Sequence, residues 1–396
     1  MREVAIVGIG MTKFGELWDM SFREMGIQAG LMAMQDAKIS AEEIDALYVG
    51  NMSAGRYIEQ EHVAALMADY SGLARDHIPA IRIEAAGASG GLALRQAYLA
   101  IASGMHDAVV VGGAEKMTDV GDAISNKIQS SASDQQWESV FGATSPSLHA
   151  MIARRHMHEY GTTREQLAEV AVKNHRHGAL NPFAQFQKEI DIKTVLRAGM
   201  VAEPLGMFDC APNSDGAAAL VLCSMERARK YTDSPVRILA SAQASDTLAL
   251  HSRADICTFE ATRYAAQRAY RQAGRAPQEI DVAEVHDATA FCEIYQVEML
   301  GFCERGRGGP FVESGATSLG GRVPVNTSGG LVSKGHPVGA TGLSMVAELA
   351  EQLRGEAGDR QVAGARVALA ENGGGVVGFD EAACAVTILE GPGARV

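Results

Sequence analysis

Residues 37–49, AKISAEEIDALYV, return in altered form at 273–285 as AGRAPQEIDVAEV. Both copies keep the leading Ala, the Glu-Ile-Asp triplet and the closing Val in register. The match extends backwards, setting Ala29, Ala33 and Ala37 against Ala265, Ala269 and Ala273. Small residues at i, i+4 and i+8 line one face of a helix and allow close packing there. Each copy therefore predicts a helix, a polar turn and a strand, and the chain reads as two similar halves.

A second correspondence sets GASG at 87–90 beside GATG at 339–342. Each opens a predicted helix of about four turns. Each helix leads to a strand, AVVVGG at 108–113 in the first half and RVALA at 366–370 in the second. Strands and helices that alternate in this way predict a layered α/β fold. The first of these helices follows EAAGASGG at 84–91, and from Leu92 to Ser103 only Arg95 and Gln96 interrupt small or apolar side chains. Such a run predicts a buried helix, with glycine allowing close backbone approach where unpaired N–H groups collect.

Only the first half carries a long excursion, starting with the polar run SNKIQSSASD at 125–134. Within it, 147–160 and 163–174 have helical spacing, with Thr163 placed to cap the second helix. The predicted organisation is a first half over 1–118 plus 215–232, an insertion over 119–214, and a second half over 233–396. An insertion of this size on one repeat suggests a lid or a ligand-binding excursion.

Composition narrows the function classes. Over 396 residues, 35 Lys+Arg against 48 Asp+Glu give a net charge of -13, which disfavours nucleic acid and anionic membranes as partners. No uncharged apolar span of about twenty residues occurs, and no signal-like core follows Met1, so a soluble cytoplasmic chain is expected. The six cysteines include no C-x-x-C pair, which fits a reducing compartment without structural zinc. His156 with His158, and His175 with His177, lack a complementary carboxylate cluster nearby, so no metal site is expected. Gly8-Ile-Gly10 starts like a dinucleotide loop, but Lys13 stands where the pattern requires a third glycine.

Four stretches fall at predicted strand ends, three of them glycine-rich: 84–91, NTSGG at 326–330 running into KGHPVGATG at 334–342, and ENGGG at 371–375, with EVHDA at 284–288 as the fourth. Ligands of open α/β folds sit at such crevices. Together the stretches bring two histidines, an acid, an amide and several glycine N–H donors, an inventory suited to stabilising an oxyanion.

These stretches, in this duplicated order, resemble the thiolase superfamily, and specifically its sterol-carrier-type and archaeal branches, over essentially the whole chain. GHPVGATG resembles the family's histidine loop, HDA its second oxyanion-hole motif, and NHRHGALNPFAQF at 174–186 its insertion segment. The resemblance implies a duplicated, five-layered thiolase-type α/β fold. It implies a coenzyme A thioester as substrate, its tail along the insertion, and no tightly bound cofactor. It also implies a homodimer and, from the archaeal branch, a small zinc-ribbon and OB-fold partner protein that helps receive coenzyme A.

At the position of Gly87 the family presents a cysteine that carries the acyl group, and common thiolases have a second cysteine where this chain has Glu371. Glycine has no side chain that could form an acyl-enzyme. The resemblance leaves His336 and His286 to bind the thioester oxygen and the N–H groups of Gly87 and Gly373 to form a second oxyanion hole. Glu371 would serve as an acid/base group or as a structural acceptor. Ser89 reads as a helix cap and Cys292 as a small buried thiol.

Three functions fit this reading. The first is a thiolase-type C–C bond enzyme, either a substituted 3-oxoacyl-CoA thiolase or a member that uses another mechanism. The second is an aldolase that cleaves a 3-hydroxyacyl-CoA, with Tyr295 and Glu371 handling the hydroxyl proton. The third is a non-catalytic subunit that holds acyl-CoA or a partner.

Overall fold

The computed structural model describes residues 1–375 and 382–393. Nine of its strands form one mixed sheet. In chain order the strands are β1 (Val4–Met11), β2 (Ala46–Gly50), β3 (Ala80–Ile83), β4 (Ala108–Glu115), a small hairpin of β5 (Met200–Ala202) and β6 (Leu205–Gly206), β7 (Gly216–Ser224), β8 (Val236–Ser245), β9 (Val282–Glu284), β10 (Val367–Gly374) and β11 (Ala383–Glu390). The sheet order is β3-β2-β4-β7-β1-β8-β11-β10-β9, and the hairpin stands apart.

The duplication is visible in this order. At the seam, β1 and β8 pair antiparallel, with Val4 opposite Ile238. Outward from the seam, the first half runs β1, β7, β4, β2, with two antiparallel pairings and then a parallel one. The second half runs β8, β11, β10, β9 with the same succession. Strand β3 extends the first half alone.

Alternation along the strands sorts the core into layers. Val4 and Ile6 face a central layer that contains the helices Ser89–Ala102 and Val338–Arg354, while Ala5 and Val7 face the helix Phe22–Asp36. On the far side, Ala240, Ala242, Val386 and Ile388 pack against the helix Glu260–Ala273. The two halves of the sheet, which meet at the β1–β8 seam, flank the paired helices, so the layers run helix, half-sheet, paired helices, half-sheet, helix, the five-layered arrangement expected. The alanine stripe predicted from the repeat is buried against the sheet at Ala29, Ala33, Ala265 and Ala269. Gly8 and Gly10 lie inside β1, where a Cβ would meet the Ala33 and Ala29 carbonyls at 2.1 and 2.3 Å. Their absent side chains let the outer helix sit on the sheet, which is the structural reason for the Gly-x-Gly pattern.

The paired central helices also meet through glycine. A Cβ on Gly90 would stand 2.9 Å from the Gly339 carbonyl, and one on Gly339 would stand 2.6 Å from the Gly50 carbonyl. Both N-termini are thereby held against the C-terminal ends of β2 and β4. That is where the glycine-rich stretches of the two halves converge.

Between β4 and β7 the helices Ser145–Tyr160 and Arg164–Ala179 form, and the Thr163 hydroxyl caps the second by accepting from the Gln166 N–H. That helix runs five residues past Asn174, the end predicted for it, because Lys173 and Asn174 face the body of the protein. Lys173 Nζ donates to the Val325 carbonyl at 2.8 Å and Asn174 Nδ2 to Asp287 Oδ2 at 2.7 Å. A further correction concerns 371–375, expected to lie past the end of the strand predicted at 366–370. Glu371 to Gly374 continue β10 in register with β11, because each residue there finds a partner from Val386 to Ala383.

Candidate active site

Strand β9 ends at Glu284, and the chain then turns through Val285, His286 and Asp287 before the helix Ala290–Met299. Asp287 fixes this turn, with Oδ1 accepting from the Leu331 N–H at 2.7 Å and Oδ2 from Asn174. The histidine loop of the second half is held from the other side. The His336 N–H donates to Ser214 Oγ at 2.9 Å, and the next helix starts at Val338. The two imidazoles meet edge to face, with ring centroids 5.0 Å apart and planes at 86°.

Both rings line a cavity of about 230 Å³, together with Gly87 and Gly373. Four of the five residues predicted for the site therefore meet at one wall. The first half, the second half and the insertion all contribute, the insertion through His149 and Asn213 among others. The volume suits the reacting end of a ligand rather than a whole thioester.

Gly87 lies at the closest part of this wall. A Cβ there would stand 2.6 Å from the Gly373 carbonyl, 2.8 Å from His286 Cε1 and 3.0 Å from His286 Nε2. The Gly87 carbonyl accepts from Asn372 Nδ2 at 3.0 Å. The preceding residue, Ala86, has φ of 48° and is held by the Glu84 carboxylate, which accepts from its N–H at 2.7 Å. Such a conformation is uncommon for a residue with a side chain and marks a constrained turn.

Burial disfavours the charged form of both imidazoles. Burial pushes the His286 pKa well below the ordinary value, with the neighbouring His336 as a smaller cause. Burial, and then the Lys334 ammonium, lower His336 to about 3. Lys334 is itself fully buried, with Nζ 3.6 Å from Glu284 Oε2. His336 Nδ1 lies 2.7 Å from Thr341 Oγ1, whose single proton is directed to the Pro337 carbonyl at 3.1 Å. With the hydroxyl proton on that carbonyl, Thr341 accepts from His336, an arrangement that places the His336 proton on Nδ1 and presents the Nε2 lone pair.

Glu371 was expected as either an acid/base group or a structural acceptor, and its contacts match the second. Its Oε2 accepts from the His286 N–H at 2.9 Å, its Oε1 faces Cys384 Sγ at 3.5 Å, and it is not among the cavity-lining residues. Alternation along β10 explains this, since Asn372 and Glu371 point to opposite faces. Tyr295, expected to handle a hydroxyl proton in the aldolase reading, lies elsewhere. Its ring stacks on Phe259 with centroids 3.7 Å apart inside an apolar cluster, away from the cavity lining.

The remaining candidate nucleophiles are occupied or protonated. Ser89 Oγ donates to the Ala86 carbonyl at 2.7 Å and accepts from the Ala85 N–H at 2.9 Å, which tightens the turn before its helix. Cys292 is buried, and burial raises its thiol pKa well above the usual range. Cys210 reaches the cavity, but burial, followed by the Asp209 carboxylate, pushes it up to about 12. A thiol held protonated is a poor nucleophile.

Sequence reading missed His149, Asn372 and Thr341 as members of the site. Burial lowers His149 well below the ordinary histidine pKa, with His286 as a smaller cause. Its only sequence signal was a place on a predicted helix of the insertion. Asn372 and Thr341 stand in the sequence only within the stretches 371–375 and 339–342, where spacing assigns neither a role.

Residues 4–226 match the family described as "Thiolase, N-terminal domain", and residues 242–389 match "Thiolase C-terminal domain-like". The chain is 54% identical to an acetyl-CoA acetyltransferase of Methanothermobacter thermautotrophicus, over 96% of this chain and 98% of that one. It is 36% identical to sterol carrier protein 2 of Bos taurus, over 96% of this chain and 74% of that protein. Among solved structures, the Ltp2-ChsH2(DUF35) aldolase superposes with a TM-score of 0.86 at 29% identity, covering 99% of this chain and 98% of that one. With family matches across both halves and relatives of this closeness along nearly the full length, the chain belongs to the thiolase superfamily.

Proposed function

We propose that this protein makes or breaks a C–C bond beside a coenzyme A thioester, as an acyl-CoA acyltransferase of thiolase type that works without an acyl-enzyme at position 87. The acetyl-CoA acetyltransferases at 50–54% identity support the acyltransferase class. The observation that carries the reading is the pair of imidazoles with ring centroids 5.0 Å apart at one cavity wall beside Gly87, the position at which the family resemblance implies an acyl-carrying cysteine.

The chemistry assigned to this wall is a direct retro-Claisen cleavage of a 3-oxoacyl-CoA. His336 Nε2 takes the proton of the coenzyme A thiol, and the thiolate adds to the 3-oxo carbon. The oxyanion is held by N–H donors, His286 and the amides of Gly87 and Gly373 in this reading. Each such donor typically contributes on the order of 3 kcal/mol to the transition state. The C2–C3 bond then breaks, its electron pair becomes the enolate of acetyl-CoA, and the proton on His336 returns to C2. One 3-oxoacyl-CoA and one coenzyme A give two acyl-CoA products, with no other reactant.

A retro-aldol route is the second reading, favoured by the close superposition on the Ltp2-ChsH2(DUF35) aldolase and by the glycine at 87. There His336 Nε2 takes the proton of a 3-hydroxyl group, C2–C3 breaks to give a free aldehyde or ketone and the acyl-CoA enolate, and the proton held on His336 passes to C2. Incubation with 3-oxoacyl-CoA plus coenzyme A, and separately with 3-hydroxyacyl-CoA, separates the routes. Consumption of free thiol identifies the first, and release of a carbonyl compound without thiol consumption identifies the second. Binding of acyl-CoA with turnover of neither would overturn both in favour of a non-catalytic subunit.

The same reading includes a homodimer joined by a small zinc-ribbon and OB-fold partner. The named second component of the solved aldolase, ChsH2(DUF35), supports a small partner. Sedimentation of the purified chain as a monomer at micromolar concentration would remove the dimer from the proposal.

A further inference from the structure

Asn372 sits where the two halves touch, and every polar atom of its side chain has a defined partner. Oδ1 accepts from the Gly91 N–H at 3.0 Å. Nδ2 donates to the Gly87 carbonyl at 3.0 Å and lies 3.0 Å from His286 Nδ1. The slot around it is built from glycine. A Cβ on Gly91 would stand 2.7 Å from Asn372 Oδ1, and one on Gly342 would stand 2.1 Å from it. Three chain segments far apart in sequence thus converge on one amide.

Two backbone groups fix the orientation of that amide. A backbone N–H can only donate, so Oδ1 must face Gly91; a carbonyl can only accept, so the NH₂ must face Gly87. The second amide proton then points at His286 Nδ1, which has to accept it. A neutral imidazole that accepts at Nδ1 carries its proton on Nε2. That nitrogen is the one 3.0 Å from where a Cβ on Gly87 would stand.

We infer that Asn372 is a positioning residue that sets His286 as the Nε2–H tautomer, so that His286 donates to the substrate oxygen while His336 offers a lone pair. The two histidines then hold opposite roles because of their neighbours: Thr341 accepts from Nδ1 of one, and Asn372 donates to Nδ1 of the other. A single wall acquires one donor and one base although both rings are neutral. The inference rests on the proposed role of His286 toward an oxyanion, but its primary readout does not.

The test uses the full chain labelled with ¹⁵N-histidine. Two-bond ¹H–¹⁵N correlation spectra at pH 8 identify the protonated nitrogen of each ring, and the His286 signals are assigned by their loss in His286→Asn. The expected result is His286 protonated on Nε2 in the parent and on Nδ1 in Asn372→Asp, whose carboxylate can only accept. In the same variant kcat falls about 10²-fold or more with little change in KM, as for loss of a donor that acts in the transition state. A parent His286 protonated on Nδ1, or an Asn372→Asp variant that keeps the Nε2 proton, overturns the inference. If the parent shows no turnover, the function proposed above fails, while the spectra still decide the role of Asn372.

Discussion

The Glu115 carboxylate, at the end of β4, accepts from the N–H of Gly339 at 3.1 Å, so an acid of the first half holds the histidine loop of the second. The same carboxylate accepts from the Met52 N–H at 2.9 Å and the Ser53 N–H at 3.0 Å. Removing it leaves buried N–H groups unpaired, which typically costs about 1–3 kcal/mol per group. Glu115→Ala is therefore expected to lower unfolding free energy by about 2–4 kcal/mol in denaturant titration. Burial raises the pKa of Glu115 from 4.5 to about 7. The native state thus binds its proton more tightly than the unfolded chain, and its contribution declines as pH rises from 4.5 to 7.

His336 and His286 hold different assignments, and their variants should fail differently. His336→Ala removes the base and is expected to lower kcat about 10²- to 10⁴-fold. His286→Ala removes a donor and is expected to cost about 10²- to 10³-fold. Steady-state rates on the substrate turned over by the parent measure both. A loss of less than about threefold at either position would remove that residue from the chemistry.

Position 87 gives a prediction about covalency. Mass spectrometry of the parent after incubation with acyl-CoA should show no acyl adduct. Any Cβ added there meets the Gly373 carbonyl at 2.6 Å, and that oxygen belongs to the backbone. Gly87→Ala and Gly87→Cys are both expected to lose about 1–3 kcal/mol of stability, as for overpacking in a close-packed interior. Matching losses in the two variants separate this steric term from any chemistry of the thiol.

The pH response follows from the depressed histidines. With His336 at about 3, its lone pair remains available throughout the range from pH 5 to 8, so kcat/KM is expected to show no inflection near pH 6.5. A rate that halves near 6.5 would mean that the ring is hydrated and titrates normally. For stability the sign is opposite to that of a paired histidine. Below about pH 6.5 the unfolded chain takes up protons that native His286, His336 and His149 refuse, so these residues lower stability as pH falls toward their native values. Lys334→Met removes the ammonium beside His336 and is expected to raise the pKa of that ring, which NMR titration measures.

Much of this architecture is local enough to read along the chain. The alanine stripe at 29, 33 and 37, its copy at 265 and 269, and the Glu-Ile-Asp turns are short-range patterns, and side-chain period alone assigns them to helix, turn and strand. Gly87 and His336 were legible as site candidates because each lies in a glycine-rich stretch at a strand end, and His286 because its short polar stretch follows a predicted strand. What the linear order determined by itself was therefore the duplicated α/β frame and the residue types brought to its crevice. Tertiary structure decided the placements. Glu371 turned behind the wall because β10 extended beyond its predicted end, Tyr295 went into an apolar cluster, and His149 arrived from the insertion. The proton positions on the two imidazoles depend on Thr341 and Asn372, one five residues from its histidine and the other 86 away. A hydrogen bond's direction is set by which atoms meet in space, and no pattern of spacing along the chain encodes that meeting.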